Sequence, residues 1–350
     1  MSKIFKQVQA HQLSKRYNIA AFPIKIEHFP EAPSRITFDS GVEIESTCLS
    51  CVNKYCINYT NEELKSIYFN DFPHDTNNNV CPINAIEWDI NSDFPHIKSE
   101  ICFSCGLCAS RCPVGAIYLT KDTAIINTKN IDYIDNTDIK SHKAEIDKFQ
   151  NATKTGKYLD ESDVLFSLIY NKILETNANS QFPNLITRNL LIQLGLSTLI
   201  RRKGDVNLRM DGVFNARNNP KIKGVIEIEF GKDVLDSPRN ILDNLAVLSS
   251  RHNYQYNDLI PLVVSFNLPN IRTEYWRVIK DISNVLNIKI QSFTIGTLML
   301  LLWNQQYIDF SQHNFYVDCD NPSINSTLSN ILNRKINLSN FEFSITAPNK

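Results

Sequence analysis

Apolar residues recur with a clear period only in the second part of this chain. After Ser162, Leu165, Leu168, Ile169 and Ile173 fall on one helical stripe, and Leu190, Leu191, Leu194 and Leu199 on another. Two strand-like runs follow, Val206–Phe214 and Ile222–Phe230, joined by the turn-rich stretch Asn215–Pro220. Ser237-Pro238 predicts a cap and an N1 proline before a helix that runs to Arg251. Ile260–Phe266 reads as a buried strand, Thr273–Leu286 as a helix, Ile288–Phe293 as a strand and Gly296–Gln306 as a final helix. Helices, a hairpin, then alternating helix and strand predict an α/β arrangement. The apolar run Gly296–Trp303 is too short to cross a bilayer and is expected to be a buried helix.

The first part is patterned by cysteine instead. Eight of the nine cysteines lie between residues 48 and 112, and only Cys319 lies outside. Residues 126–160 are polar and rich in Asn, Asp and Lys, as expected of a linker between residues 1–125 and 161–350. At 350 residues the chain has room for two or three domains, and 43% hydrophobic with 21% charged residues is ordinary for a globular protein. A net charge of -1 gives no global pull toward nucleic acid or an anionic membrane, so any basic surface must be local. Met1–Arg16 is polar and lacks the apolar core of a signal peptide, which leads us to expect a reducing, cytoplasmic setting. Clustered cysteines in such a setting point to metal ligation.

The run Cys102-Phe-Ser-Cys105-Gly-Leu-Cys108-Ala-Ser-Arg-Cys112-Pro113 is C-x2-C-x2-C-x3-C-P. Three thiolates at i, i+3 and i+6 suit one cubane, and the Cys-Pro turn sends the fourth toward another. Zinc is usually served by separated C-x2-C pairs and needs neither the third cysteine nor the Cys-Pro, so iron-sulfur is favoured over zinc. An earlier set, Cys48, Cys51, Cys56 and Cys81-Pro82, repeats these parts with a longer step to Cys56 and an insertion at 57–80. Cys81-Pro-Ile-Asn-Ala-Ile86 echoes Cys112-Pro-Val-Gly-Ala-Ile117. Within the insertion, Thr60-Asn-Glu-Glu63 is a capping box that predicts a short helix. Over roughly residues 40–122 the chain resembles the bacterial two-cluster ferredoxins. The resemblance implies two 4Fe-4S clusters with crossed ligation: Cys48, Cys51, Cys56 and Cys112 on one, and Cys102, Cys105, Cys108 and Cys81 on the other.

The hairpin region carries acids where a half-buried strand has no need of them. Val206, Leu208 and Met210 alternate with Arg209 and Asp211. Ile226, Ile228 and Phe230 alternate with Glu227 and Glu229, two carboxylates about 7 Å apart on one face. With Asp211 they would form an oxygen cage for Mg2+, although a solvated strand face is the plainer explanation. The order of elements resembles the PD-(D/E)XK nuclease superfamily, with Asp211 and Glu227 in the acidic positions and Glu229 where lysine is usual. That resemblance implies an α/β restriction-endonuclease-like domain with a central mixed sheet flanked by helices, following an α+β ferredoxin-type domain. It also implies Mg2+- or Mn2+-dependent cleavage of DNA, most naturally double-stranded. Asp211, Glu227 and Glu229 would serve as metal-binding and catalytic residues. A restriction or defence role implies a homodimer, because cutting both strands takes two active centres.

Arg201-Arg202-Lys203, Arg209, Lys221 and Lys223 are candidate phosphate contacts. Lys232 would support the acids, and Glu161 and Glu175 are the nearest additional carboxylates. The alternative reading is a redox protein that passes electrons to a partner, its C-terminal part serving only for docking. Cys319, His74, His96, His142, His252 and His313 show no ligand spacing, and Tyr275 and Trp276 are read as core. Met1–Phe38 is read as an arm on the cysteine module.

Overall fold

The computed structural model describes residues 54–90, 94–98, 100–112, 117–121, 124–126, 163–175, 181–205, 208–336, 338 and 342–349, with three short strands nearer the N-terminus. In the N-terminal part the strands are β1 (Gln7–Gln9), β2 (Lys25–His28), β3 (Glu43–Glu45), β4 (Ile86–Asp89), β5 (Phe94–Ile97), β6 (Ile117–Lys121) and β7 (Ala124–Ile126). One short helix, α1 (Leu107–Arg111), lies between β5 and β6. β1 pairs with β3, β4 with β5, and β6 with both β2 and β7, all antiparallel. The N-terminal arm therefore contributes backbone pairing to the strand that follows the cysteine motif. The expected linker falls outside the described residues.

The second part contains α2 (Asp163–Glu175), α3 (Phe182–Gln193), β8 (Leu196–Ile200), β9 (Gly212–Ala216), β10 (Lys223–Glu229) and α4 (Ser237–His252). β11 (Leu259–Ser265), α5 (Tyr275–Leu286), β12 (Gln291–Thr294), α6 (Ile295–Trp303) and α7 (Asn325–Leu332) complete it. Five strands make one mixed sheet in the order β12-β11-β10-β9-β8. β8, β9 and β10 form an antiparallel meander, whereas β10, β11 and β12 run parallel. Parallel neighbours need crossovers, and α4 and α5 supply them. α3 packs on β8 and β10, and α4 on β10 and β11, giving an α/β fold with a mixed sheet flanked by helices. Covered strands read as continuous apolar runs, which explains Leu262-Val263-Val264 in β11.

Several expectations need correction. Leu199 does not extend the helical stripe. Gly195, at φ +94, ends the helix and turns the chain directly into β8, where Leu199 is buried. The run Val206–Phe214 is not one strand: pairing begins at Gly212 and continues through Ala216, so Asn215 belongs to the strand and not to the turn. The capping box forms its reciprocal bonds, Thr60 N–H to Glu63 Oε2 at 2.9 Å and Glu63 N–H to Thr60 Oγ1 at 3.3 Å, but only a turn follows. The chain does not end its helices at Gln306, because α7 comes later. Gly296–Trp303 lies wholly buried in α6, and Tyr275 and Trp276 are buried as read. Among the described residues no helix is long and apolar enough to cross a membrane.

Candidate functional site

The second cysteine run folds as a tight loop leading into one turn of helix. Ser104 (φ 61) and Gly106 (φ 88) both take left-handed backbone, which bends the chain between Cys102 and Cys108. α1 then carries Cys108 and stops at Cys112. Backbone N–H groups point at the sulfurs: Ala85 N lies 3.1 Å from Cys81 Sγ, and Ser104 N lies 3.4 Å from Cys102 Sγ. Cys81, Cys102, Cys105, Cys108 and Cys319 are free thiols. Burial pushes the Cys102 thiol up to about 12, and Cys81 adds to the effect. The Cys81, Cys105 and Cys108 thiols are also raised, by burial first. Neighbouring thiols add to the rise at Cys105 and Cys108, Cys56 among them at Cys108. The structure thus gathers Cys81 with Cys102, Cys105 and Cys108, despite the gap in sequence. Cys56 lies nearby and Cys112 is buried, while Cys48 and Cys51 fall outside the described residues.

Arg111, between Cys108 and Cys112, fastens the insertion to this loop. Its fully buried guanidinium donates to both Glu63 carboxylate oxygens, at 2.7 and 3.0 Å, and to the carbonyls of Tyr55 and Asn58. It also lies 4.1 Å from the Tyr59 ring centroid. Burial works to raise the Glu63 carboxyl, but the bond and charge of Arg111, helped by Thr60, hold it below the usual carboxylate range.

The acidic residues meet at the junction of β9 and β10. The register pairs Gly212 with Ile226, which puts Asp211 opposite Glu227 one step further on. Asp211 Oδ2 accepts the Ile228 N–H at 2.9 Å, and Arg201 Nη2 lies 3.4 Å from Asp211 Oδ1. Glu227 is only 8% exposed, so the solvated-face explanation does not describe it. Its Oε1 accepts from Asn240 Nδ2 and its Oε2 from Asn244 Nδ2, each at 3.0 Å, both from α4. Burial, then the Asp211 charge, raise Glu227 to about 7 against the pull of the two asparagines. Burial also raises Asp211, opposed by the Ile228 N–H and Arg201 and reinforced by Glu229. Glu229 is half-buried and accepts the Gly231 N–H at 2.6 Å.

Residues 95–118 match the family model of a 4Fe-4S binding domain, Fer4. Against curated proteins, the chain is 38% identical over 45 residues to an uncharacterized ferredoxin of Methanocaldococcus jannaschii, covering 13% of this chain and 28% of that protein. No solved structure matches. The 4Fe-4S binding domain thus contains Cys102, Cys105, Cys108 and Cys112.

The donor set fits such a cluster. Four partly buried thiols near one another repel if all ionise, and a cationic iron core offsets that repulsion; N–H groups aimed at sulfur serve the same end. Among the described residues no three His, Cys, Asp or Glu side chains close around a single metal ion. A cubane does not require that, because its four corners are separate. Asp211 and Glu227 offer two carboxylates, a number within the one or two that Mg2+ takes where it keeps several waters.

The other candidates are placed as follows. Arg201 contacts Asp211, Arg209 lies 3.5 Å from Asp243, and Lys223 sits 5.1 Å from the Tyr68 ring centroid. Arg202, Lys203 and Glu175 are solvent-exposed. Glu161 lies outside the described residues, and Lys232 opens the 3-10 turn Lys232–Leu235. Sequence reading missed Arg111, Asn240 and Asn244. The signal for the asparagines was their i, i+4 spacing on the helix after the acidic strand.

Proposed function

We propose that this protein is a metal-dependent endonuclease of restriction or defence type, carrying two 4Fe-4S clusters and hydrolysing DNA phosphodiester bonds. The observation that carries the nuclease part is the buried Asp211–Glu227 pair, facing across β9 and β10 in a sheet whose order is meander, helix, parallel strand. Two carboxylates held together away from water are costly unless a cation joins them. A divalent ion held there supplies an activated water and charge neutralisation at the phosphorus. Asp211 and Glu227 would bind Mg2+ or Mn2+, their orientation set by the Ile228 N–H and the Asn240 and Asn244 amides. Glu229, nearer solvent, would orient the attacking water or hold a second ion. For the clusters, Cys81, Cys102, Cys105 and Cys108 would hold one and Cys48, Cys51, Cys56 and Cys112 the other.

Protein purified without oxygen is expected to cut duplex DNA with Mg2+ or Mn2+, and Asp211→Ala and Glu227→Ala to abolish cutting. Undiminished cleavage by both variants would overturn the assignment. The second reading, a ferredoxin-like electron carrier with a docking domain, is favoured by the named ferredoxin relative. It expects dithionite to bleach the visible cluster band reversibly while no DNA is cut. A homodimer belongs to the first reading and a redox partner to the second.

A further inference from the structure

We infer that residues 57–80 form a strap through which the iron-sulfur centre controls the Asp211–Glu227 pair; this rests on the cluster assignment above and not on DNA cleavage. Its two flanking residues are Cys56 and Cys81, which crossed ligation assigns to different clusters. Between them the strap docks on the sheet. His74 makes an antiparallel bridge with Arg201, Asp75 N–H donates to the Ile200 carbonyl at 2.9 Å, and Arg202 N–H donates to the Pro73 carbonyl at 3.1 Å. The strap thus serves as a minimal extra strand on the β8 edge. Ser66 Oγ reaches Asn215 Oδ1 of β9 at 2.7 Å. Next to Cys81, Asn189 Nδ2 of α3 donates to the carbonyls of Asn79 and Val80 at 2.9 and 2.8 Å, and Tyr59 Oη donates to the Asn189 carbonyl.

Arg201 is the output. The bridge fixes its backbone, its N–H donates to the Asp211 carbonyl at 2.8 Å, and its guanidinium lies 3.4 Å from Asp211 Oδ1. One covalent segment therefore links a cluster ligand to the partner of a site carboxylate. Ligation at both ends closes the strap into a loop, which lowers the entropy of its undocked state and favours docking. Freed at one end, the strap keeps the packing of Tyr59, Leu64, Phe69 and Val80, but residues 73–75 meet the β8 edge through backbone bonds, and such a stretch belongs to the parts of a fold that open first.

The test is amide hydrogen exchange on the full chain, with clusters intact and after their removal by oxidant and chelator. The Asp75, Arg202 and Ile228 amides are expected to exchange about tenfold or more faster without clusters, while Leu262–Val264 of β11 stays protected. Asn189→Leu, with its visible cluster absorption retained, should speed the same three amides; if that variant does not fold, Ser66→Ala supplies the same readout. Equal exchange in both forms, acceleration spread evenly into β11, or no change in the variant overturns the inference. Protein that lacks cluster absorption when purified without oxygen overturns the cluster assignment and this inference together. None of these readouts depends on cutting DNA.

Discussion

Glu227 is a carboxyl whose burial and whose neighbour Asp211 oppose its ionisation. Burial and Asp211 raise it to about 7, so the folded state holds a proton that the unfolded chain gives up in the usual carboxylate range. A raised acid stabilises the fold most below its unfolded value, and that stability is lost as pH rises toward 7. Glu227→Gln is therefore expected to stabilise the metal-free protein at pH 8 by about 1–3 kcal/mol, with the difference vanishing near pH 4. Thermal denaturation without divalent ions checks this, and a variant less stable than the parent at pH 8 would contradict it. Added Mg2+ should raise the melting temperature of the parent more than that of the variant. The acids were legible in the sequence because charge at alternate positions of an apolar run has no packing reason. Their supports were not. An asparagine pair on a later helix belongs to no motif, and Arg111 reads as mere spacing between Cys108 and Cys112, although its guanidinium is fully buried.

Among the elements, the meander β8–β9–β10 was only partly legible. Leu190, Leu191, Leu194 and Leu199 keep helical spacing straight across the break at Gly195, so periodicity alone could not end the helix. β10 and β11 were read nearly to their ends, because a covered strand is a plain apolar run. Their close approach is another matter. A Cβ on Gly224 would run into the Ile260 carbonyl on one side and the Phe214 ring on the other. Both are held by strand pairing and core packing, so neither gives way cheaply. Gly224→Ala should cost about 1–3 kcal/mol, as overpacking does. Chemical denaturation measures it, and a neutral result would argue against the parallel register of Gly224 with Ile260.

Across the whole molecule, the cysteine module and the sheet share one core. α1 packs on α3 and α6, and the Phe103 and Phe182 rings meet edge to face with centroids 5.8 Å apart. The sequence announces the module through its spacing but is silent on this union, since contacts such as Tyr59 to Asn189 span 130 positions and leave no local pattern. One contact across that union has an optical consequence. Trp303, fully buried, donates its indole N–H to the Cys105 carbonyl at 2.9 Å. An iron-sulfur centre absorbs broadly across the wavelengths at which indole emits, so this tryptophan should stay dark while the neighbouring cysteines are loaded. It should brighten as the cluster leaves, and Trp303→Phe should remove most of that rise from the chain's three tryptophans. The molecule would then carry its own lamp, lit only when its iron is gone.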